Sequence, residues 1–479
     1  MSKLGPPGEP FFGHFRVVPY SNPQFRYIEW GKEYNSDVLF FNVFGKPVVV
    51  LNSVEAAEEL LEKKGANFQD RPRFVMFEVM GWGVTLTFLR NGPRFRLHRK
   101  LIQSTFTQSA CKTYRTVQTE EMRRAVRDIL DRPSKWEMLI RKGTVAIVLR
   151  LGFGVRVHDD DDEYIKMADE ANYATTQGGT PASTIGDHFP IITYLPNWLA
   201  RSAPLKHARD WGWAIRKIHE TAWNSTMKEI EAGNAEPSFM KTYLERYNQS
   251  LATGQPCEHT PIDIQGAAGA IFIAGGNTTW STIMVCILQL LLNPSVKAKA
   301  IAEIDAVIGS SRLPTFEDQD SLPYLNNLIQ ETFRIAPLSP VGVPHKSIAP
   351  DNYKGYYIPA GSIVYANARA MTLDSTVYAS PSQFDPDRYT HGEPYPKGHF
   401  GFGRRACPGR YLAANSVYIF MATLLATTDF AFPKSEAGLP KARELGLSNG
   451  LSSHPESYEC IMKPRSEEKR LLVISGTAI

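Results

Sequence analysis

The chain has 479 residues, of which 43% are hydrophobic and 21% charged, so it can bury a large core and is neither a disordered nor a fibrous protein. Its formal net charge of +4 is small, and we expect no nucleic-acid partner. The five cysteines show no pairing pattern, which argues against a disulfide framework and favours a reducing compartment.

The N-terminal region consists of a proline-rich lead over residues 1–20 and a first set of regular elements. Aromatic spacing predicts a helix over residues 22–36, and a β-rich alternating pattern predicts a hairpin from Asp37 to Leu51. A second helix is predicted over Val54–Lys64, with Ser53 as its N-cap.

The next part of the chain is predicted to be mostly helical. An irregular stretch over 67–91, rich in aromatic residues, methionine and glycine, leads into a basic helix start at residues 92–100. Helical patterns follow over Thr119–Leu130 and Glu137–Leu151. The acidic run at 159–163 is interpreted as a solvated loop and helix start, because its spacing does not fit a calcium-binding loop.

The longest uncharged run extends from Ile264 to Val296. A membrane-spanning helix is the obvious alternative for such a run. However, the sequence Ala-Gly-Gly-Asn-Thr-Thr at residues 274–279 places two adjacent glycines and three polar residues in its middle. This composition fits a long buried helix better than a lipid-facing one.

Amphipathic helices are predicted over Lys297–Ile308 and Leu325–Ile335. The second carries Glu331 and Arg334, which share a helix face at a spacing of three residues and can pair. Turn residues at 359–361 between two β-rich segments, 353–358 and 362–366, predict a second hairpin.

A loop rich in glycine and arginine near the C-terminus contains one cysteine, Cys407, and precedes an apolar helical pattern. A thiol at a helix N-terminus has a lowered pKa, because the helix dipole and free N–H groups favour the thiolate. Gly403 and Gly409 allow tight turns and the close approach of a flat ligand. Arg405 supplies a positive charge suited to an acidic group on that ligand.

The loop, from Phe400 to Gly409, fits F-x-x-G-x-R-x-C-x-G, the haem-thiolate signature of the cytochrome P450 superfamily, which the chain resembles over nearly its whole length. Residues 274–279 are similar to the family's central-helix pattern, and Glu331–Arg334 together with residues 384–389 resemble its E-x-x-R motif and downstream meander. The resemblance is strongest to microsomal-type fungal, basidiomycete monooxygenases of secondary metabolism. It implies a mainly α fold with a small β region, one haem domain over 21–479, and a long central helix over the haem.

The resemblance implies haem b as the cofactor, with the thiolate of Cys407 as the axial iron ligand. Such a ligand favours oxygen activation over oxygen storage. The resemblance places these further residues around the haem: Arg405, Phe400, Gly403, Gly409, Arg99, His345, Ala274 and Gly275. Among them, Arg99, His345 and Arg405 would hold the propionates.

Two positions depart from the family's patterns. The usual tryptophan four residues before Arg99 is Phe95, which lacks an indole N–H; Arg96 or His98 could compensate or belong to a solvated basic face. Asn277 replaces the usual acid beside Thr278, and an amide cannot ionise. We expect Thr278 and Asn277 to organise proton delivery through water, with slower turnover or a reaction needing fewer protons as alternatives.

The resemblance also implies a buried network of Glu331, Arg334 and Arg388 that supports the cysteine loop. It further suggests a substrate pocket, although ordinary core packing is the alternative for about half of the aromatic stretch. The pocket candidates are Phe74, Phe77, Met80, Ile273, Leu338, Val341 and Val343.

The implied reaction inserts one oxygen atom from O₂ into an apolar small molecule, by hydroxylation or epoxidation. Electrons would come from NADPH through a separate NADPH–cytochrome P450 reductase, attracted by a basic face around residues 94–100. A haem-thiolate peroxygenase, isomerase or dehydratase, and a non-catalytic haem-binding protein, remain the alternatives.

The resemblance to microsomal members implies a monomer on the cytosolic face of the endoplasmic reticulum membrane. Two attachments are expected: an anchor helix ahead of the lead, absent from this sequence, and the apolar segment 189–199. A trimmed chain and a naturally unanchored one are both open, and segment 189–199 either enters lipid or packs on the core.

Overall fold

The computed structural model describes residues 4–19, 21–158, 162–178, 182–433, 448 and 451–477. The described α-helices are α1 Pro23–Glu33, α2 Val54–Ala57, α3 Val75–Met80, α4 Pro93–Thr105, α5 Gln108–Thr113, α6 Arg115–Asp131, α7 Trp136–Phe153, α8 Glu163–Gln177, α9 Ile185–His188, α10 Asn197–Ala200, α11 Ala203–Glu231, α12 Phe239–Thr253, α13 Pro261–Leu292, α14 Pro294–Ile308, α15 Pro323–Ile335, α16 Ala368–Thr372, α17 Arg410–Thr427 and α18 Glu467–Ser475. The predicted mainly α fold with a small β region is confirmed.

The strands in the described part of the chain are short and form three small sheets. They are β1 Val38–Val43, β2 Lys46–Leu51, β3 His345–Lys346, β4 Asp351–Tyr353, β5 Tyr356–Ile358, β6 Ile363–Ala366, β7 Thr428–Ala431 and β8 Ile461–Pro464. The largest sheet has the order β1-β2-β6-β3, with β2 and β6 parallel. The other two sheets are the antiparallel pairs β4-β5 and β7-β8.

The first predicted hairpin is confirmed, because β1 and β2 pair antiparallel with Val38 opposite Leu51. The second is wrong. The segment after residues 359–361 pairs with β2 and β3, so the hairpin forms one strand earlier, between β4 and β5. Its turn is made by Lys354 and Gly355, both with positive φ, as a two-residue hairpin loop requires.

The central helix α13 begins at Pro261, just after a capping box formed by Thr260 and Asp263, and is buried along most of its length. It is the one helix in the described part of the chain that is long and apolar enough to cross a membrane, yet 78% of that apolar window is buried inside the protein. It packs against α7 on one side and against α11, α15 and α17 on others. The predicted long buried helix is therefore present, and it lies in the middle of the helical core.

Candidate active site

A cavity of about 360 Å³ lies between α13 and the loop that precedes α17. Asn277 and Thr278 of α13 line one wall, and Phe400 and Cys407 of the loop line another. The two motifs that stand far apart in the sequence thus enclose the same space.

The cysteine loop is held by its own backbone. The N–H of Cys407 donates to the carbonyl of Phe400 at 2.8 Å, and the N–H of Gly409 points to the thiol. Burial raises the pKa of the Cys407 thiol, although Gly409, Arg99 and Arg410 act in the opposite direction. The prediction of a lowered pKa is therefore wrong for the protein alone: loss of hydration outweighs the helix N-terminus, and a bound cation would reverse that balance.

The two glycines of the loop serve different purposes. Gly409 lines the cavity, as predicted. Gly403 has a positive φ of 54°, and a Cβ there would collide with the carbonyl oxygen of Leu61. Gly403 is therefore required for packing against the segment after α2, and the structure does not place it in the cavity wall.

Four basic side chains converge at one edge of the cavity: Arg71, Arg99, His345 and Arg405. Arg71 is 4% exposed and donates to the carbonyls of Val343 and Pro344 at 2.6 and 2.9 Å. Arg405 donates to the carbonyls of Gln69 and Leu89 at 2.7 and 3.0 Å. Within the described residues, Nε of Arg71 and Nη2 of Arg405 are buried without a hydrogen-bond partner.

These groups are held in a place that disfavours positive charge. Burial, together with the neighbouring Arg405, lowers the pKa of Arg71 well below its usual value, and burial lowers the pKa of Arg405 to about 9. Burial and then Arg71 lower the pKa of His345. A guanidinium stays charged in proteins, so a lowered pKa means that burial destabilises its positive charge. An anionic ligand in the cavity would compensate for that loss of stabilisation. Carboxylates of a flat ligand, such as haem propionates, fit the unpaired donors.

The two other propionate candidates have specific contacts. Arg99 donates to the carbonyl of Ala406 at 2.7 Å, next to the cysteine, and lines the cavity. His345 lines it too, with Nδ1 2.8 Å from the carbonyl of Phe68. Phe95, which replaces the tryptophan, lies under the guanidinium of Arg405, 3.4 Å from its carbon to the ring centroid. This cation–π contact orients Arg405 without the missing indole N–H.

His98 does not compensate for that N–H. Its ring is fully buried, and its Nε2 lies 3.0 Å from the carboxylate of Asp263 at the start of α13. Arg94 pairs with the same carboxylate at 3.2 Å, while Arg96 is exposed. These basic residues therefore tie α4 to α13 or face solvent.

The central helix presents a small residue and two polar residues to the cavity. Ala274 is exposed to it, and the hydroxyl of Thr278 donates to the carbonyl of Ala274 at 2.6 Å. The Thr278 oxygen keeps its lone pairs for accepting a hydrogen bond. Gly275 lines the cavity, and a Cβ there would collide with Val148 of α7, so this glycine also allows α7 to pack closely.

Asn277 is 6% exposed, and its Oδ1 has no hydrogen-bond partner among the residues that the structure describes. An amide at this position keeps its hydrogen-bonding atoms but has no proton to release by ionising. Water is the polar species that can satisfy such a group in a cavity.

The pocket candidates divide into two groups. Ile273, Leu338 and Val343 line the cavity. The others are placed in the core: Phe74, Phe77, Met80 and Val341. Phe74 and Phe77 contact the cavity-lining Phe88, with ring centroids 5.5 and 4.5 Å apart, so they support the wall from behind. The prediction that Phe74 and Phe77 line the pocket is wrong, because residues 82–88 lie between them and the cavity.

The buried network beside the loop is formed as the resemblance implied. Arg334 donates to both oxygens of Glu331 at 2.7 Å, and Arg388 donates to Glu331 at 3.1 Å. Tyr389 donates a further hydrogen bond to Glu331 at 2.9 Å. Arg334 also donates to three backbone carbonyls, of Thr372, Pro381 and Gln383. These bonds connect α15 to the segment that leads to the cysteine loop.

Several cavity residues were not identified from the sequence. They include Arg71, Thr85, Phe88, Asn172 and Thr176. Each comes from a segment without a motif, and Arg71 stands out only as a basic residue in a stretch that is otherwise rich in aromatic residues. Their approach to the cavity depends on tertiary packing.

The family model described as Cytochrome P450 matches residues 4–462. The chain belongs to the cytochrome P450 family. A cytochrome P450 monooxygenase of Armillaria gallica is 34% identical over 96% of this chain and 91% of its own length. Tryptamine 4-monooxygenase of Psilocybe cyanescens is 33% identical over 97% and 93%, and cytochrome P450 monooxygenase 176 of Postia placenta is 33% identical over 99% and 92%.

This cytochrome P450 is a haem-thiolate monooxygenase. When bound, the haem supplies the redox chemistry that activates O₂, which a thiolate ligand promotes. Cys407 lines the cavity and would ligate the iron, and Arg71, Arg99, His345 and Arg405 would hold the propionates. Thr278 and Asn277 also line the cavity and would hold water there.

Proposed function

We propose that this cytochrome P450 hydroxylates or epoxidises an apolar small molecule, with electrons from NADPH delivered by a separate reductase. The observation that carries the proposal is the placement of Cys407 and Thr278 on facing walls of one cavity. The surrounding wall is mostly apolar, with Ile271, Ile273 and Leu338 among its members, which suits an apolar substrate.

Turnover of the haem-loaded protein with reductase and NADPH over a panel of terpenoids, fatty acids and aromatics tests this function. We expect oxygenated product that depends on NADPH and O₂. Product formed only with hydrogen peroxide would instead establish a peroxygenase, an alternative that Asn277 leaves open. A Cys407→Ala variant is the control, because it loses the thiolate ligand and with it the characteristic carbon monoxide difference band.

The reductase would dock on the face where α4 adjoins the cysteine loop. Arg96 and Arg404 are exposed there, and Lys100 is exposed although it pairs with Glu258 at 2.5 Å. Positive charge at this face would steer an acidic partner, so association should weaken as salt increases. Arg96→Glu should slow reduction by the reductase while leaving chemical reduction by dithionite unchanged.

We also place the protein, as a monomer, at the cytosolic face of the endoplasmic reticulum membrane, bound in part through segment 189–199. Three of its side chains are strongly exposed: Ile191 at 69%, Tyr194 at 85% and Trp198 at 76%. Arg209 of α11 holds this segment by donating to the carbonyls of Thr193 and Leu195. Exposed aromatic and aliphatic groups of this kind suit a lipid interface.

Flotation with phospholipid vesicles tests the membrane contact. We expect the Ile191→Gln/Trp198→Gln double variant to bind vesicles several-fold more weakly than the parent chain. Leu471→Gln, which alters an exposed apolar residue of α18, is the control and should bind unchanged. Equal binding of all three proteins would contradict the proposal.

A role in secondary metabolism is supported by one relative whose name describes oxidation of a small molecule, the tryptamine 4-monooxygenase of Psilocybe cyanescens. The mostly apolar wall is compatible with many such compounds. A spectral screen for displacement of the water ligand from ferric haem would identify the substrate class.

A further inference from the structure

Two polar side chains in the wall of the cavity between α13 and the cysteine loop, here called the inner cavity, have no role in the site described above. Trp82 and Thr85 line this cavity, and each is 2% exposed. The indole Nε1 of Trp82 and the hydroxyl oxygen of Thr85 are buried without a hydrogen-bond partner among the residues that the structure describes. A buried polar group without a partner destabilises a protein unless water or a ligand satisfies it.

Both side chains start from the same side of one tight turn. Trp82–Val84 form a 3₁₀ turn, and the N–H of Thr85 closes it by donating to the carbonyl of Trp82 at 3.0 Å. Three residues complete one turn of a 3₁₀-helix, so side chains three residues apart are eclipsed. The carbonyl of Thr85 in turn accepts from the N–H groups of Phe88 and Leu89 at 3.1 and 3.2 Å. The backbone of this segment therefore holds the two polar groups on one side.

Aromatic packing fixes the direction of the Trp82 N–H. The indole meets the rings of Phe88 and His219 edge to face, with centroids 5.6 and 6.3 Å apart. The Nδ1 of His219 donates to the carbonyl of Ile215 at 2.8 Å, and a Cβ on Gly269 of α13 would collide with the His219 ring. Nε2 of His219 also lacks a partner in the described part of the chain, so this ring supports the indole without taking its N–H. A donor oriented in advance loses little freedom when a ligand binds.

The hydrogen-bonding capacity of the two groups matches one neutral oxygen atom. The indole N–H of Trp82 only donates, whereas the hydroxyl of Thr85 donates or accepts. A carbonyl oxygen has two lone pairs and can accept one hydrogen bond from each group. A hydroxyl group can accept from Trp82 and donate to Thr85. A hydrocarbon would leave both groups unsatisfied.

The charges in the wall disfavour ionised ligands. Within the described residues, neither aspartate nor glutamate lines the inner cavity, and its arginines are those that would hold the propionates. An ammonium group would therefore enter a positively charged space without a counter-charge, at a large cost in lost hydration. A carboxylate would find the cations of the cavity already engaged by the cofactor.

We propose that Trp82 and Thr85 form a polar subsite that orients the substrate, an otherwise apolar molecule that carries a neutral carbonyl or hydroxyl oxygen. The inference rests on the proposed oxygen-inserting function and narrows its substrate class. Because the substrate oxygen is held at this turn, its distance from the reacting carbon determines which position is oxygenated. Amines and carboxylic acids are poor ligands.

Binding of matched probes to the ferric holoenzyme tests the subsite, with dissociation constants taken from the change in the haem spectrum. Two pairs differ by one carbonyl group: 2-adamantanone with adamantane, and cyclododecanone with cyclododecane. The quantity compared is the ratio of the hydrocarbon Kd to the ketone Kd. We expect this ratio to fall about tenfold in a Trp82→Phe/Thr85→Val variant, because two hydrogen bonds to the ketone are lost while the shape of the wall is kept.

Thr85→Val alone keeps the indole packing and should lower the ratio about threefold, since one hydrogen bond is lost. This single variant keeps the test decisive if the double variant folds poorly. In the parent chain, adamantane carboxylate and trimethyladamantylammonium, which are charged cages of similar size, should bind at least tenfold more weakly than 2-adamantanone.

Trp213→Phe/Thr253→Val is the matched control, because it makes the same two chemical changes at exposed positions of α11 and α12. It should leave the ratio unchanged. An unchanged ratio in both Trp82→Phe/Thr85→Val and Thr85→Val, absence of ketone binding by the parent chain, or equally tight binding of the charged cages would overturn the proposal. Binding needs neither reductase nor O₂, so these results are independent of whether oxygenated product is found.

Discussion

The two sides of the inner cavity are built differently. Beside the cysteine loop, the Glu331 network is completely buried and paired: Glu331 and Arg334 are both 0% exposed, and Glu331 accepts four side-chain hydrogen bonds. On the opposite side, which we call the distal side and which includes α13, polar atoms of Thr85, Trp82 and Asn277 are buried without a hydrogen-bond partner among the described residues.

The difference indicates which side is structural and which is adaptable. A buried ionic network constrains every member, because removing one partner leaves the others charged and unsolvated. Unpartnered polar atoms beside a cavity do not constrain one another and are free to meet water or ligand. We therefore expect substitutions beside the cysteine to cost stability and haem, and distal substitutions to change turnover.

The largest expected effect is that of Glu331→Gln. The amide retains the shape but leaves the buried guanidinium of Arg334 without its counter-charge, and Arg388 keeps only Glu393, so the change should cost about 3–5 kcal/mol. We expect little haem-loaded protein, measured as the haem-to-protein ratio, and a much lower urea midpoint. The exposed Glu62→Gln is the control. Normal haem content and stability in Glu331→Gln would contradict the inference that the cysteine side of the cavity is the structural one.

Arg71→Met should separate stability from haem retention. It keeps an apolar stem of similar length but removes a buried charge whose Nε lacks a partner within the described residues. The haem-free chain should therefore be as stable as the parent or more so, whereas transfer of haem to a scavenging protein should quicken about tenfold, since hydrogen bonds to charged groups contribute about 1.5–3 kcal/mol.

The control for that experiment is Arg73→Met, because Arg73 is exposed and pairs with Glu78 at 2.8 Å. It should lose haem at the parent rate. Equal haem transfer from the two variants would show that Arg71 has no part in binding the cofactor.

Much of the site could be predicted because its signals are local. An uncharged run marked α13, a three-residue spacing marked Glu331 and Arg334, and a loop motif marked Cys407. What failed depends on contacts between distant segments. Arg71 reaches the cavity because its partners are the carbonyls of Val343 and Pro344, which no local pattern reveals.

The second hairpin failed for the same reason. Pro359, Ala360 and Gly361 are turn residues, and local chemistry predicted that the strands on either side would pair. Strand β6 instead pairs in parallel with β2, which lies near the other end of the chain, and its residues Val364 and Tyr365 face Val49 and Val50. Burial of this central strand outweighed the local preference.

The Asn277→Asp variant tests whether the residue at position 277 limits proton supply on the distal side. Because we expect water to deliver the protons that Asn277 cannot supply, restoring an acid should change product per NADPH by less than about threefold. A relay crippled by the amide predicts a large gain instead, and that result would place proton supply at residue 277. Thr278→Ala is the informative companion variant, since it removes the hydroxyl that faces the cavity and should lower coupling clearly.

The smallest expected effect concerns His188, at the end of α9 and outside the cavity lining. Its ring lies against Phe15 and Phe44, with centroids 6.4 and 5.4 Å apart, and burial lowers its pKa to about 4. The unfolded chain, with a histidine pKa of about 6.5, therefore binds more protons than the folded one between these values, and stability must fall as pH falls across that window. His188→Phe removes this proton uptake while preserving the aromatic contacts, so its acid-unfolding midpoint should move down by about 0.3 pH unit.

The control is His391→Phe, which alters an exposed histidine and should leave the acid-unfolding midpoint in place. An unchanged midpoint in His188→Phe would mean that this ring is solvated before the chain unfolds, so that the contact of α9 with Phe15 and Phe44 opens locally while the buried Glu331 network stays closed.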